Sequence, residues 1–226
     1  MLKIIKYMVL LPLVVVLGFN AFAYGSVLFY RAFYPHQTTF MQLRMWEAER
    51  GVKLDYRPVA YDRISLHLKK ALIVSEDAGF ADHDGFDWKG IQTALKKNER
   101  SGRVRAGGST ISQQLAKNLL LVPARNMWRK GEEALITAML EATTDKDRIF
   151  ALYLNVIEWG EGLFGAEAAA QYYFHKPAQD LTRQEAAQLA AMVTRPLYYQ
   201  DHRNHGRLRY KTNIILRRMG AAQLPE

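Results

Sequence analysis

Ser75-Glu76-Asp77-Ala78-Gly79-Phe80-Ala81-Asp82-His83-Asp84-Gly85 ends an apolar helical pattern in a crowd of acids, one histidine and two glycines. Upstream, Pro58 and Asp62 precede Ser65, a residue type suited to an N-cap, and Leu68, Ala71, Leu72 and Ser75 follow at helical spacing. A helix ending near Asp77 is predicted, with Glu76 in its last turn. There the partial negative charge of the helix C-terminus disfavours a carboxylate, which suits a general base. The same residues would also serve as a solvated turn, and His83 taken singly reads as structural.

Working outward, Trp88 to about Arg100 forms a second helical pattern with Trp88, Ile91 and Leu95 on one face, closed by Ser101-Gly102. A basic loop, Arg103 to Arg105, leads to Gly107-Gly108-Ser109-Thr110-Ile111-Ser112-Gln113-Gln114-Leu115-Ala116-Lys117-Asn118. This is a glycine-rich turn feeding a helix that stops before Pro123. Two glycines admit a ligand close to the backbone, and the free N–H groups of a helix start attract anions. Gln113 and Lys117 lie one turn apart on one face and offer an amide and a cation to a phosphate, although Thr110 with Gln113 equally fits an ordinary capping box. The Gly-Lys-Ser/Thr arrangement of a nucleotide-binding loop is missing, which argues against nucleotide hydrolysis.

Arg125, Arg129, Lys130 and Glu133 open the next helix. Taken alone, Arg129 and Glu133 at i, i+4 make a routine surface ion pair worth a few tenths of a kcal/mol. Further helices are predicted at about 128–143, 146–158, 164–174, 183–193 and 205–219, with a capping box at Thr182 and Glu185 and an apolar stripe of Ile149, Leu152, Tyr153 and Val156. No run of alternating strands is seen, so the soluble part is expected to be mainly α.

Composition narrows the chemistry. The 226 residues suffice for one globular domain with an accessory segment. The absence of cysteine removes disulfides, thiolate nucleophiles and cysteine-ligated metals. With 31 Lys and Arg against 22 Asp and Glu, the net charge of +9 favours anionic partners. Tyr7 to Tyr30 is a run of 24 residues without a charged side chain, long enough to span a bilayer. Lys3 and Lys6 precede it, so residues 1–6 are expected in the cytoplasm and everything after the span outside, which disfavours nucleic acid as a partner. A signal peptide cleaved near Ala21-Phe22-Ala23 is the competing reading. Residues 31–54 read as a juxtamembrane connector whose Phe40, Met41, Leu43, Met45 and Trp46 either pack on the domain or lie on the membrane, and 55–226 as the catalytic domain.

Together these segments resemble the peptidoglycan glycosyltransferases, the family of the N-terminal module of class A penicillin-binding proteins and of monofunctional transglycosylases. The carriers are Glu-Asp-x-x-Phe-x-x-His-x-Gly at Glu76 to Gly85, Gly-Gly-Ser-Thr-Ile-x-Gln-Gln-x-x-Lys-Asn at Gly107 to Asn118, and Arg-Lys-x-x-Glu at Arg129 to Glu133. Two further blocks follow: Arg148-Ile149 through Tyr153-Leu154-Asn155, then Gly165 through Ala169-Ala170 to Tyr173-Phe174 and Lys176. Phe150-Ala151 and Arg195-Pro196 depart from the family's usual Leu-Glu and Asn-Pro, and the last two blocks are read as helix packing. The likeness spans about residues 55–200; no transpeptidase module follows, which implies the monofunctional type.

The resemblance implies a lysozyme-like helical lobe with a smaller membrane-proximal lobe. Glu76 would be the general base and Glu133 the second acid, with Ser109, Thr110, Gln113, Gln114, Lys117, Arg125, Arg129 and Lys130 binding the pyrophosphate-bearing substrate. Asp77, Phe80, His83, Gly85, Gly107, Gly108 and Asn118 would support them. It further implies lipid II and a growing lipid-linked glycan as substrates, a divalent metal, Mg or Mn, held through Glu133, no nucleotide or organic cofactor, and partners among cell-division or cell-wall synthesis proteins at the inner membrane. A lytic glycosidase and a non-catalytic membrane-anchored scaffold are the alternatives; the cationic set speaks against the first, since glycan cleavage has no pyrophosphate to bind.

Overall fold

The computed structural model describes residues 2–101, 108–123 and 126–225, and the fold is mainly helical. Helix α1 (Leu2–Tyr30) contains the one stretch among the described residues that is long and apolar enough to cross a membrane, Leu10–Tyr30, and most of its large side chains point outward. Polar groups inside it are satisfied locally: Asn20 Nδ2 donates to the Val16 carbonyl and Ser26 Oγ to that of Phe22, as an apolar surrounding requires. At its C-terminus Arg148 donates from Nε and Nη2 to the Tyr30 carbonyl at 3.0 and 2.8 Å and from Nη2 to the Phe33 carbonyl at 2.9 Å. A cation there complements the helix dipole and ties α1 to the domain.

The segment read as a connector, residues 31–54, contains a helix. Residues Thr39–Glu47 form helix α2, started by Thr38, whose hydroxyl accepts the Met41 N–H at 3.1 Å. Phe40 and Met41 enter the core while Trp46 stays 83% exposed, so part of the apolar set packs on the domain and part faces outward.

Helix α3 (Leu66–Glu76) starts at Ser65, as its sequence predicts, with the Ser65 hydroxyl accepting the His67 N–H. It is followed by α4 (Trp88–Ser101), α5 (Ile111–Leu120), α6 (Met127–Thr143), α7 (Lys146–Val156), α8 (Ala166–Phe174), α9 (Arg183–Met192), α10 (Pro196–Asp201) and α11 (Gly206–Arg218). The capping boxes at Thr110–Gln113 and Thr182–Glu185 are both formed. Ile149, Leu152, Tyr153 and Val156 are all fully buried. The Trp88 and Leu95 face of α4, by contrast, is exposed.

Three short strands, β1 (Asp55–Tyr56), β2 (Glu158–Gly160) and β3 (Leu163–Phe164), form a small sheet in the order β1-β3-β2, with β1 parallel and β2 antiparallel to β3. Asp55 pairs with Leu163 and Tyr56 with Phe164, which joins the end of the connector to the middle of the domain. Helix α3 packs on α9 and α11, and α5 is wedged among α2, α6 and α7. The ends of α3 and α5 therefore meet in the interior, where the sequence places its polar motifs.

Candidate active site

Glu76 is the last residue of α3. Its Oε1 accepts from Ser75 Oγ at 2.9 Å and lies 3.5 Å from Lys211 Nζ; its Oε2 accepts from Gln114 Nε2 at 3.4 Å. Gln114 is in turn fixed by Tyr153, whose hydroxyl donates to Oε1 at 3.3 Å. Burial and the nearby Glu76 and Asp77 raise the Tyr153 hydroxyl well above its ordinary value, so it stays a donor. Beside the carboxylate lies a cavity of about 160 Å³ lined by Glu76, Asp77, Asp87, Gly108, Ser109 and Thr110, among others. Ser109 and Gly108 are exposed at its edge.

Asp77 welds the first motif to the second. Its buried carboxylate accepts from His83 Nε2 at 3.0 Å and from the Ile111 N–H at 3.0 Å, so it caps α5 from outside. Burial alone would lower the His83 value, but the hydrogen bond and charge of Asp77 outweigh it and the net shift is upward. Thr110 Oγ1 donates to the Gly85 carbonyl at 2.7 Å, a second weld. Gly85 has φ +84°, and a Cβ there would sit 2.8 Å from Thr137 Cγ2 and 2.9 Å from Glu141 Cγ, which explains a glycine at this turn. Phe80 is fully buried against Phe150, with the Lys146 ammonium 4.5 Å above its ring.

One turn along α5 from Gln114, Lys117 lies in the field of Glu133. Glu133 is only 3% exposed; Arg129 Nη1 approaches its Oε2 at 2.6 Å and Lys130 Nζ pairs with Oε1. The i, i+4 pair is thus centred on a buried carboxylate with partly exposed cations, and is not the routine surface pair that the residues alone suggested. Both Glu133 oxygens already face a cation, and among the described residues no three His, Asp or Glu side chains are grouped to hold a metal. Each Glu133 oxygen is thus partnered by a cation of its own helix.

Gln113, assigned to ligand binding, and Asn118, assigned a supporting role, are both enclosed by the domain. Gln113 is buried, and its Oε1 accepts the Thr110 N–H in the capping box, as the competing reading had it. Asn118 is buried with Oδ1 lacking a hydrogen-bond partner among the described residues. Gly107 and Arg125 lie outside the described residues. Lys211, absent from the sequence reading, joins the site from α11, far along the chain, and no local pattern marks it.

A partly buried acid at a helix end, linked through one helix to a cationic cluster, suits a transferase that deprotonates one group and stabilises an anionic leaving group. The chain belongs to the transglycosylase family, whose pattern matches residues 45–220. It is similar to proteins described as biosynthetic peptidoglycan transglycosylase. One, from Neisseria gonorrhoeae, is 61% identical over 229 residues, covering 100% of this chain and 98% of the relative. Another, from Neisseria meningitidis serogroup C (strain 053442), is 60% identical over the same shares. A third, from Laribacter hongkongensis (strain HLHK9), is 53% identical over 228 residues and covers 100% of both chains.

Proposed function

We propose that this peptidoglycan glycosyltransferase joins lipid-linked disaccharide-peptide (lipid II) into β-1,4 glycan strands, releasing polyprenyl pyrophosphate with inversion at the donor anomeric carbon. The observation that carries the reading is the placement on α5 of Gln114 against Glu76 and, one turn on, of Lys117 in the field of Glu133. Base and cations thereby flank one helix, as a reaction needs when it takes a proton at one end and releases a pyrophosphate at the other.

In this reading Glu76 accepts the proton of the acceptor's 4-hydroxyl. The freed oxygen bonds to the donor anomeric carbon, whose bond to the pyrophosphate oxygen breaks with its electron pair. Lys117, Arg129 and Lys130 meet the charge that develops there, and Glu133 holds the last two in place. Helix α1 anchors the chain by a single pass in the inner membrane, with residues 1–6 in the cytoplasm, the catalytic domain outside, and cell-wall synthesis or division proteins as neighbours. No nucleotide sugar is needed, which fits chemistry outside the cell.

Polymerisation of labelled lipid II by the detergent-purified protein, wild type against Glu76→Gln at matched folding, tests the reading. Polymer from wild type and none from the variant is expected. Shortening of preformed glycan without polymer would make the protein a lytic enzyme, and inactivity in both assays a scaffold.

A further inference from the structure

The connector helix α2 carries more than packing. Arg44 on it clamps Glu158 of β2, with Nε 2.9 Å from Oε1 and Nη2 donating to Oε2 at 3.2 Å. Glu158 is 7% exposed, and a buried carboxylate of this kind requires a partner. A single ring joins this pair to α5: the Arg44 guanidinium lies 5.0 Å from the Phe40 centroid and the Lys117 ammonium 6.0 Å from the same centroid.

Charges around Lys117 come from three directions. Burial disfavours its ammonium and lowers its proton affinity; Glu133 and Glu158 oppose this, while Arg129 and Lys130 add to it. Reciprocally, burial pushes the Glu158 carboxyl up, Arg44 and Lys117 draw it down, and Glu47 on α2 pushes it up again. Glu133 is already shared by Arg129 and Lys130. Among the described residues no ion pair within 4 Å engages Lys117, so its ammonium is balanced by two carboxylates without being neutralised by either.

We propose that Glu158, clamped by Arg44, is a positioning residue for Lys117, and that helix α2 is thereby part of the pyrophosphate-facing site. The inference rests on the reading of Lys117 as a pyrophosphate ligand. It assigns to Arg44 the task of holding Glu158 and favouring its ionised form, because a buried carboxyl that loses its guanidinium is driven toward its neutral form and weakens as a counter-charge. A purely structural pair would only hold α2 on the sheet.

The test measures reductive methylation of single lysines in the full-length protein, with formaldehyde and cyanoborohydride and quantification by peptide mass spectrometry. Only the neutral amine reacts, so Glu158→Gln should speed methylation of Lys117 about fivefold at fixed pH, a shift of under one pKa unit. Arg44→Gln should act in the same direction, and Glu158→Asp should stay near wild type. Lys69, a buried lysine on α3, is the control for general loosening and should not change. In lipid II polymerisation, Glu158→Gln should raise KM and lower kcat together, each by about threefold, a smaller change in the same pattern as loss of Lys117 itself. Unchanged reactivity of Lys117, or an equal rise at Lys69, would overturn the positioning role. An altered Lys117 with unaltered KM would remove α2 from the substrate site. Should the wild type fail to polymerise lipid II, the functional reading falls, while the methylation result still decides whether Glu158 governs Lys117.

Discussion

Asp77 Oδ2 accepts the Ile111 backbone N–H at 3.0 Å, so the residue next to the candidate base caps the helix that carries Gln114 and Lys117. Thr110 caps the same helix start through the Gln113 N–H, and the two caps act on different donors. Loss of Asp77 therefore shifts the orientation of α5 with respect to Glu76 and does not unravel the helix. Asp77→Ala is expected to cost about 1–2 kcal/mol of stability, the usual worth of a cap. It should also cost about a hundredfold in kcat, since a displacement of an ångström in a positioned group has that scale. Thermal melts beside steady-state polymerisation measure both, and a stability loss with unchanged kcat would refute the coupling.

His83 makes stability depend on pH. Its folded value lies above the ordinary 6.5 because the Asp77 hydrogen bond and charge overcome burial. A group with a raised folded value contributes its full stabilisation below the unfolded value and loses it as pH rises through the folded one. The wild type should therefore lose melting temperature on going from about pH 6 to pH 8 relative to His83→Gln, by up to a few degrees. Parallel melting curves against pH for the two proteins would show that the pair does not titrate in this range.

What could be read in the sequence was what local chemistry determines. The two capping boxes and the apolar stripe of α7 need only residues three or four apart, and they stand where their spacing put them. Helix α2 and the sheet are different. Strands of two or three residues have no period to detect, and α2 is fixed by Phe40 and Met41 entering the core and by Arg44 reaching a carboxylate 114 positions away. Lys211 is silent for the same reason. The motifs located Glu76 and Glu133 but not their surroundings. Whether Gln113 faced a ligand or its own helix start depended on which of two equally spaced partners won, and the capping box won.

Arg148 holds the end of helix α1. Its guanidinium meets the carbonyls of Tyr30 and Phe33 and stacks 4.3 Å from the Tyr34 ring centroid. Replacement by Ala leaves those carbonyls and the end of α1 without their cation. The isolated domain fold should survive, since the contact lies at the end of α1 and not in the core. Limited proteolysis should cleave near residues 31–36 at least several times faster in Arg148→Ala, because local opening there becomes easier. Equal cleavage rates would mean that α1 is held by its packing, on α6 above all, without help from Arg148.

Glu133 and Lys117 should fail in different ways. Glu133→Gln removes the counter-charge of Arg129 and Lys130 but leaves both cations near the site, so a pyrophosphate still meets positive charge in the ground state. What is lost is their fixed orientation toward the charge that grows on the leaving oxygen, and such preorganisation is worth about a hundredfold or more in kcat. KM should stay within about threefold. In the proposed reaction, Lys117→Ala deletes a cation that would engage the ligand before and during bond breaking. It should therefore raise KM and lower kcat together, each by about tenfold. Steady-state polymerisation of labelled lipid II separates the two parameters. A Glu133→Gln variant that loses KM alone would make Glu133 a binding residue, and a Lys117→Ala variant with wild-type kinetics would remove Lys117 from the site.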